Sequence, residues 1–514
     1  MSVIPSGDRP AGPNPFRQRI PARWTVFSGA VISLLVVSLW LRATTPNRGQ
    51  PIPPAARASS LAVLPFVNTS PDVADDYLGY GIAAELTRAL TAVRGIQVSP
   101  RSSAFAPRQV QGDPRIAGRR MGVAAVLIGT VRRSTDRIRV TARLIDVDEG
   151  FDIWSEAYER QTSELLDIER EIRGAVASAL RMPLASDTIS EPLRPTTSVQ
   201  AYDAYLAGRY ELDHPEPGSA RRAQAHLTRA VRIDSAFARA HAALAEAHML
   251  RGGLDAVSPV MAIPQAKSAV TRALELDSTL AQAHATLGTI RFVFDRDWGG
   301  AEVEFRRALA LEPDAAELYP PYGRYLLAMG RIDESHSFLQ RALQLSPLSP
   351  WLTHQLGWHY LHARQYDRAR ETLQRALVMD SSAWRVDLDL ALLEQAAANY
   401  PAAEAHLRRA EASAAQRPEI LAAASQLHAA QGRSEEAKEL LAQLQAGTSD
   451  RYISPYLIAA AQGSLKQRNA AFASLDRAVK ERAELLAYLR IDLRVDSLRT
   501  DRRFTRLLRQ LRLP

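Results

Sequence analysis

The sequence predicts three parts: one N-terminal transmembrane helix, a compact α+β domain, and an all-α solenoid of repeated helical hairpins. Three observations predict them. A small residue returns to one helical slot with a period that settles to 34, residues 125–160 alternate like strands, and residues 24–41 carry no charge.

The repeat slot holds Ala223, Ala266, Ala301, Ser335, Ala369, Ala403, Ala437 and Ala471, and after one longer step and one of 35 every interval is 34. Four positions on stand Leu227, Val270, Phe305, Leu339, Leu373, Leu407, Leu441 and Leu475, and seven on usually another alanine. Offsets of 4 and 7 share one helix face, so these columns form the seam of each second helix. Twelve positions before the slot lie Gly323, Gly357, Ala391, Ser425 and Ala459, small enough for two helices to approach closely. About eight units fill 198–482, with insertions near 211–218 and 252–263. Residues 483–514 read as capping helices, with Leu498, Phe504, Leu507, Leu508 and Leu511 as their apolar stripe.

The length, small-residue columns and Pro313 and Pro347 make the array resemble the tetratricopeptide repeat (TPR), most clearly at Leu356-Gly357, Tyr360, Ala369, Leu373 and Ala376. The resemblance implies a concave surface lined by first helices. In that geometry Arg324, Trp351, His354, Trp358 and Arg385 face the groove, where they would hold partner proteins or peptides with acidic or aromatic side chains.

Residues 24–41 are bracketed by Arg23 and Arg42, with Trp24 and Trp40 at interfacial positions, as in a membrane-crossing helix. No cleavage site lies close enough for a signal peptide, so the segment reads as a retained anchor in the inner membrane. Residues 1–23 then form a short cytoplasmic tail and 42–60 a Pro-rich linker.

Residues 61–181 read as the α+β domain, followed by a linker at 182–197. Leu61–Phe66 is a strand, Asp76–Ala92 a helix, Ile96–Ser99 a second strand and Pro114–Met121 a second helix. Strands follow at 125–133, 137–147 and 151–160, then a helix at 163–180. Ile138, Val140, Ala142 and Leu144 alternate with Arg139, Thr141 and Arg143, the pattern of a half-buried antiparallel strand, and Asp148-Glu149-Gly150 supplies a tight turn. Val63-Leu64-Pro65-Phe66 with Asn68, Tyr77, Gly81 and Glu85-Leu86, then Gly129-Thr130-Val131 and Trp154–Tyr158, resemble a TolB-type amino-terminal domain. That resemblance implies a bacterial envelope protein.

A net charge of +8 comes almost wholly from arginines interspersed with acids, so a solvated helical surface is expected and no nucleic acid. The chain has no cysteine, which excludes disulfides and thiol catalysis. Gly79-Tyr80-Gly81 lacks the strand-to-turn setting of a dinucleotide fingerprint. Asp72, Asp75, Asp76 and Glu85 suit a helix start better than a cation site, and Asp146, Asp148 and Glu149 suit a turn. His354, His359 and His362 lack metal-ligand spacing and an accompanying carboxylate, and read as surface or inter-repeat contacts.

No catalytic set, cofactor or metal is therefore expected. The functional expectation is a non-enzymatic, membrane-anchored interaction scaffold of the bacterial envelope, with its C-terminal domains in the periplasm. The alternative is a signalling membrane protein whose TolB-like domain senses a ligand. Nothing in the sequence specifies an oligomeric state.

Overall fold

A computed structural model describes residues 60–513 apart from 92, 94, 106–111, 181–195, 215, 217, 255–256, 415–416 and 450. The expected tail, anchor and Pro-rich linker at 1–59 lie outside the described residues, as does most of the linker expected at 182–197. Among the described residues, no helix is long and apolar enough to cross a membrane.

The N-terminal part is built on a six-stranded sheet. Strand β1 (Ser60–Val63) lies between β3 (Gln97–Val98) and β4 (Ala125–Arg133), parallel to both, and β2 (Val67–Asn68) pairs parallel with β4. β4, β5 (Arg137–Asp146) and β6 (Asp152–Gln161) form an antiparallel meander. On β5, Ile138, Val140, Ala142 and Leu144 are buried while Arg137, Arg139 and Arg143 are exposed, as period-2 alternation requires. Its turn into β6 is fixed by the Asp146 carboxylate, which accepts from the Asp148 and Glu149 amides, and by Gly150 at φ 81°.

Helices α1 (Asp76–Thr91) and α4 (Leu165–Ala179) cover one face of the sheet, burying Leu78, Ile82, Leu86 and Leu90, and Leu165, Ile168, Ile172 and Val176. The short α2 (Arg101–Ala104) and α3 (Pro114–Met121) close a smaller core of Ala62, Leu64, Ala117, Val126 and Val147. Gly79 sits inside α1, where an added Cβ would stand 2.1 Å from the Phe66 carbonyl oxygen. The glycine therefore serves helix–strand contact, away from any phosphate turn.

Sixteen helices follow as eight consecutive hairpins. They are α5 (Val199–Asp213) with α6 (Ser219–Ile233), α7 (Ala238–Leu254) with α8 (Pro259–Leu276), and α9 (Ala281–Ile290) with α10 (Trp298–Leu311). Next come α11 (Tyr319–Ala328) with α12 (Ile332–Leu345), α13 (Pro350–His362) with α14 (Tyr366–Met379), and α15 (Trp384–Ala396) with α16 (Tyr400–Ser413). The last are α17 (Pro418–Ala430) with α18 (Ser434–Ala446), and α19 (Pro455–Ser464) with α20 (Arg468–Lys480).

The small-residue columns have a direct steric cause. A Cβ on Gly208, Gly288, Gly323 or Gly357 would come within 3.0 Å of Leu227, Phe305, Leu339 or Leu373 respectively, the residue four past the slot. Ser335, the one slot that is not alanine, satisfies its buried hydroxyl by donating to the Gly323 carbonyl at 2.7 Å. First helices of successive hairpins also contact one another, from α9 with α11 through α17 with α19, whereas second helices have no comparable contacts. The first helices thus line the inner side of the curve.

Sheet and array belong to one compact unit, Pro54–Pro514. Their junction is rich in charge. Glu85 on α1 accepts from Arg88 at 2.8 Å and from Arg239 on α7 at 3.0 Å. Arg101 donates to Asp213 at 2.8 Å, Tyr77 and Arg133 both donate to Asp203, and Tyr202 donates to Glu169 at 2.8 Å. Further along, Ser103 shares a 2.7 Å hydrogen bond with Ser346, so the sheet domain meets the array at two places.

Two carboxyls of this junction titrate in opposite senses. Burial opposes ionisation of Glu85, but Arg88 and Arg239 overcome it and hold the group down at about 2. Burial, then the charge of Glu85, pushes Glu169 up from 4.5 to about 8. The folded state therefore holds a proton on Glu169 that the unfolded chain releases, and stability falls as pH rises from about 4.5 to about 8. Glu85 acts conversely, stabilising above 4.5 and losing that contribution as pH falls toward about 2. Glu169→Gln is expected to raise the melting temperature at pH 8 and leave it nearly unchanged at pH 4.5. Equal effects at both pH values would show that Glu169 is ionised in the fold.

Candidate functional site

The inner side of the array is partly filled by the chain itself. After α20 the backbone turns back in two 3-10 turns, Glu484–Tyr488 and Leu493–Leu498, before the terminal helix α21 (Arg502–Gln510). Arg482 donates to the Phe294 carbonyl at 3.0 Å, and the Tyr488 ring meets Phe292 and Trp358 edge-on at 5.4 and 5.5 Å. Arg364 pairs with Asp496 at 2.7 Å, Gln426 donates to the Arg494 carbonyl at 2.7 Å, and Tyr456 donates to Asp492 at 2.9 Å. One segment thereby touches hairpins from α9 to α19.

The expected capping helices at 483–514 are corrected accordingly: they comprise 3-10 turns laid along the inner side and a single α-helix. Irregular spacing of Leu486, Leu489, Val495 and Leu498, all buried, gives no helical period to read. The expected stripe does form a core, since Leu498, Phe504, Leu507 and Leu511 pack with Phe472 and Leu475 of α20. Three of the arginines there are paired, Arg494 with Asp492, Arg499 with Asp496 and Arg503 with Asp501. Asp492 is 1% exposed, and although burial opposes it, Arg494 holds its carboxyl down at about 2.

The expected groove residues are placed as follows. Trp351, at the start of α13, is 44% exposed. Trp358, two turns on, stacks on His362 with centroids 4.1 Å apart, and the Arg324 guanidinium lies 4.7 Å over it. Arg324 also stands beside the Tyr488 hydroxyl. Arg385 is exposed and lies 4.4 Å over the Trp384 ring, with Arg417 5.1 Å from the same ring. Desolvation, and then the charges of Arg417 and Arg324, press the Arg385 pKa down against the opposing pull of Glu419.

His354 is buried and shares a 2.7 Å hydrogen bond with Asp389 of α15. It is a strut between hairpins and does not face the open groove, so its expected place among partner-contacting residues is corrected. Asp389 is also the carboxylate that linear spacing did not reveal, because it lies one repeat on. His359 and His362 are buried too, bonded to Ser335 at 2.8 Å and to the Trp358 carbonyl at 3.0 Å. Burial, then His336 and His362, pushes His359 down to about 4 and keeps it neutral.

Sequence reasoning missed Trp384, Arg417 and Tyr488. Trp384 directly precedes an expected position, so only its aromatic character signalled it. Arg417 and Tyr488 lie outside the helical register altogether. Of the other singled-out acids, Asp72 caps the turn at Val73–Asp75 and Asp75 lies 3.7 Å from Arg133.

A family model for the tetratricopeptide repeat matches residues 326–381, the stretch holding the Gly357 seat and its Leu373 knob. Residues 326–381 thus match the tetratricopeptide repeat, within an array of helical hairpins. TPR arrays are a protein-interaction fold built from stacked helical hairpins. The chain is 34% identical over 201 residues to "Putative adenylate cyclase 3" of Rhizobium meliloti, which is 39% of this chain and 34% of that protein. It is 39% identical over 80 residues to the protein O-mannosyl-transferase Tmtc1 of Drosophila melanogaster, 15% of this chain and 9% of that one. The chain thus spans about a third or less of these curated relatives. The solved structure of pilF from Pseudomonas aeruginosa is 24% identical, covering 43% of this chain and 96% of that one, with a TM-score of 0.32.

The expectation that the chain is not an enzyme is overturned by the first relative, which bears an enzyme's name. That expectation rests on the repeat array, the anchor and the absence of a legible catalytic motif, and none of these excludes a catalytic region joined to the array.

Tyr488→Ala is expected to cost about 3 kcal/mol in urea titration, the usual scale for truncating a packed aromatic ring. Amide exchange over 484–498 should then rise ahead of the hairpins. Unchanged exchange there would show that this ring does not seat the segment.

Proposed function

We propose that this chain is a membrane-anchored interaction protein of the bacterial envelope. Residues 24–41 anchor it in the inner membrane, a TolB-like domain stands at 61–181, and the array projects into the periplasm. Partner proteins or peptides dock on the part of the inner face that segment 484–498 leaves uncovered. One observation carries the reading: Trp351 is 44% exposed on first helix α13, whose other side chains are mostly buried. A large exposed aromatic ring is characteristic of interface anchors.

A photo-crosslinking residue at Trp351 is expected to give discrete protein adducts in cells, and one at Val378, exposed on a second helix, few or none. Equal labelling at both would sink the docking reading. Fusions of alkaline phosphatase after residues 190 and 514 should be active, and inactivity at both would place these domains in the cytoplasm.

The likeness to a protein named as an adenylate cyclase favours a second reading, in which these regions serve a signalling polypeptide and the TolB-like domain senses a ligand. Cyclic AMP formation from ATP by the full chain would support that reading.

A further inference from the structure

Three arginines of the inner face make no ion pair among the described residues, although the charge of Glu419 acts on Arg385. Arg324, Arg385 and Arg417 make cation–π contacts with Trp358 and Trp384, and among the described residues no carboxylate lies in ion-pair reach of them. The charges of Arg324 and Arg417 both act on Arg385, which places the three in one neighbourhood. Of the acids of segment 484–498, Asp492 is engaged by Arg494 and Tyr456 and Asp496 by Arg364 and Arg499, while burial pushes the Glu484 carboxyl up to about 7. Asp389 is held by His354.

Hydrogen-bonding capacity is also unspent there. Arg324 Nε is buried without a partner, and so is Glu419 Oε2. A buried donor and a buried acceptor left open cost free energy that a ligand carrying both functions would recover.

We propose that Arg324, Arg385 and Arg417 form an anion-binding position that receives an acidic side chain of a polypeptide partner. This inference rests on the docking reading and specifies its chemistry. The carboxylate would take the guanidinium N–H groups, which favour planar oxyanions. A backbone N–H of the same peptide would donate to Glu419 Oε2. A deoxyribose-phosphate backbone supplies the anion but no such donor, and the adjoining stretch of the face already accommodates a polypeptide. Trp358 and Trp384 serve as the apolar floor on which the arginines are stacked.

The full chain in detergent would be titrated into a labelled peptide of alternating glutamate and leucine, into its glutamine counterpart, and into a single-stranded oligodeoxynucleotide. The glutamate peptide is expected to bind, and Arg385→Gln or Arg417→Gln to weaken it about tenfold or more. The glutamine peptide should bind the parent no better than the glutamate peptide binds those variants. Arg385 is exposed, so circular dichroism should show its variant folded like the parent. Equal binding of both peptides, both lost in Trp351→Ala, would overturn the anion position and leave the docking reading standing. No peptide binding together with no adduct at Trp351 would overturn both. Tighter binding of the oligonucleotide, lost in Arg385→Gln, would make this a nucleic-acid site and overturn the polypeptide assignment.

Discussion

Four of the hairpins depend on one contact: a branched or aromatic side chain of the second helix seated where the first helix has no Cβ. Leu373 against Gly357 and Leu339 against Gly323 are the clearest cases, with Phe305 on Gly288 and Leu227 on Gly208 earlier in the array. The seat sets the distance between the two helices. That distance fixes the stacking angle of the next hairpin, because interiors are packed too densely to absorb even one added methyl group. The curve of the array, and so the position of every inner-face side chain, follows from this repeated fit.

A curve alone does not make an open groove. The segment after α20 returns along the first helices and contributes Leu486, Leu489, Val495 and Leu498 to the interior, with Tyr488 as a ring between hairpins. Within it Asp492 pairs with Arg494, and Asp496 reaches out to Arg364 of the array. The segment adds apolar burial to the array without pairing an acid with Arg324, Arg385 or Arg417. At the other end the sheet domain is tied in through Glu85, Asp203 and Asp213, ion pairs that join the helices of the sheet to the first hairpins. The repeats are thus gripped at both ends, with Trp351 and Arg385 left exposed.

Much of this was legible because it is periodic. Alternation along 137–146 gave a strand with one buried face, and the 34-residue return gave the hairpins and their seams. The meander turn at Asp146–Gly150 was legible for a different reason, since a carboxylate before a glycine encodes its own hydrogen bonds. Illegible features share one property: they join residues of different repeats or different domains. The His354–Asp389 bond spans 35 positions, and the Ser103–Ser346 bond spans 243. Tyr488 was invisible as a groove residue because a 3-10 segment carries no lasting period. Histidines that looked free of acids in linear order proved to be buried struts.

The sequence by itself determined which residues share a face, since helix and strand periods depend only on local backbone geometry. It thereby specified the strands, the hairpins and the small-residue columns. Only the tertiary structure decided what each face meets: that the inner side receives the chain's own C-terminal segment, and that Arg385 and Arg417 converge on one tryptophan. Those outcomes depend on how many small seat geometries accumulate along the array, and no local pattern records that sum.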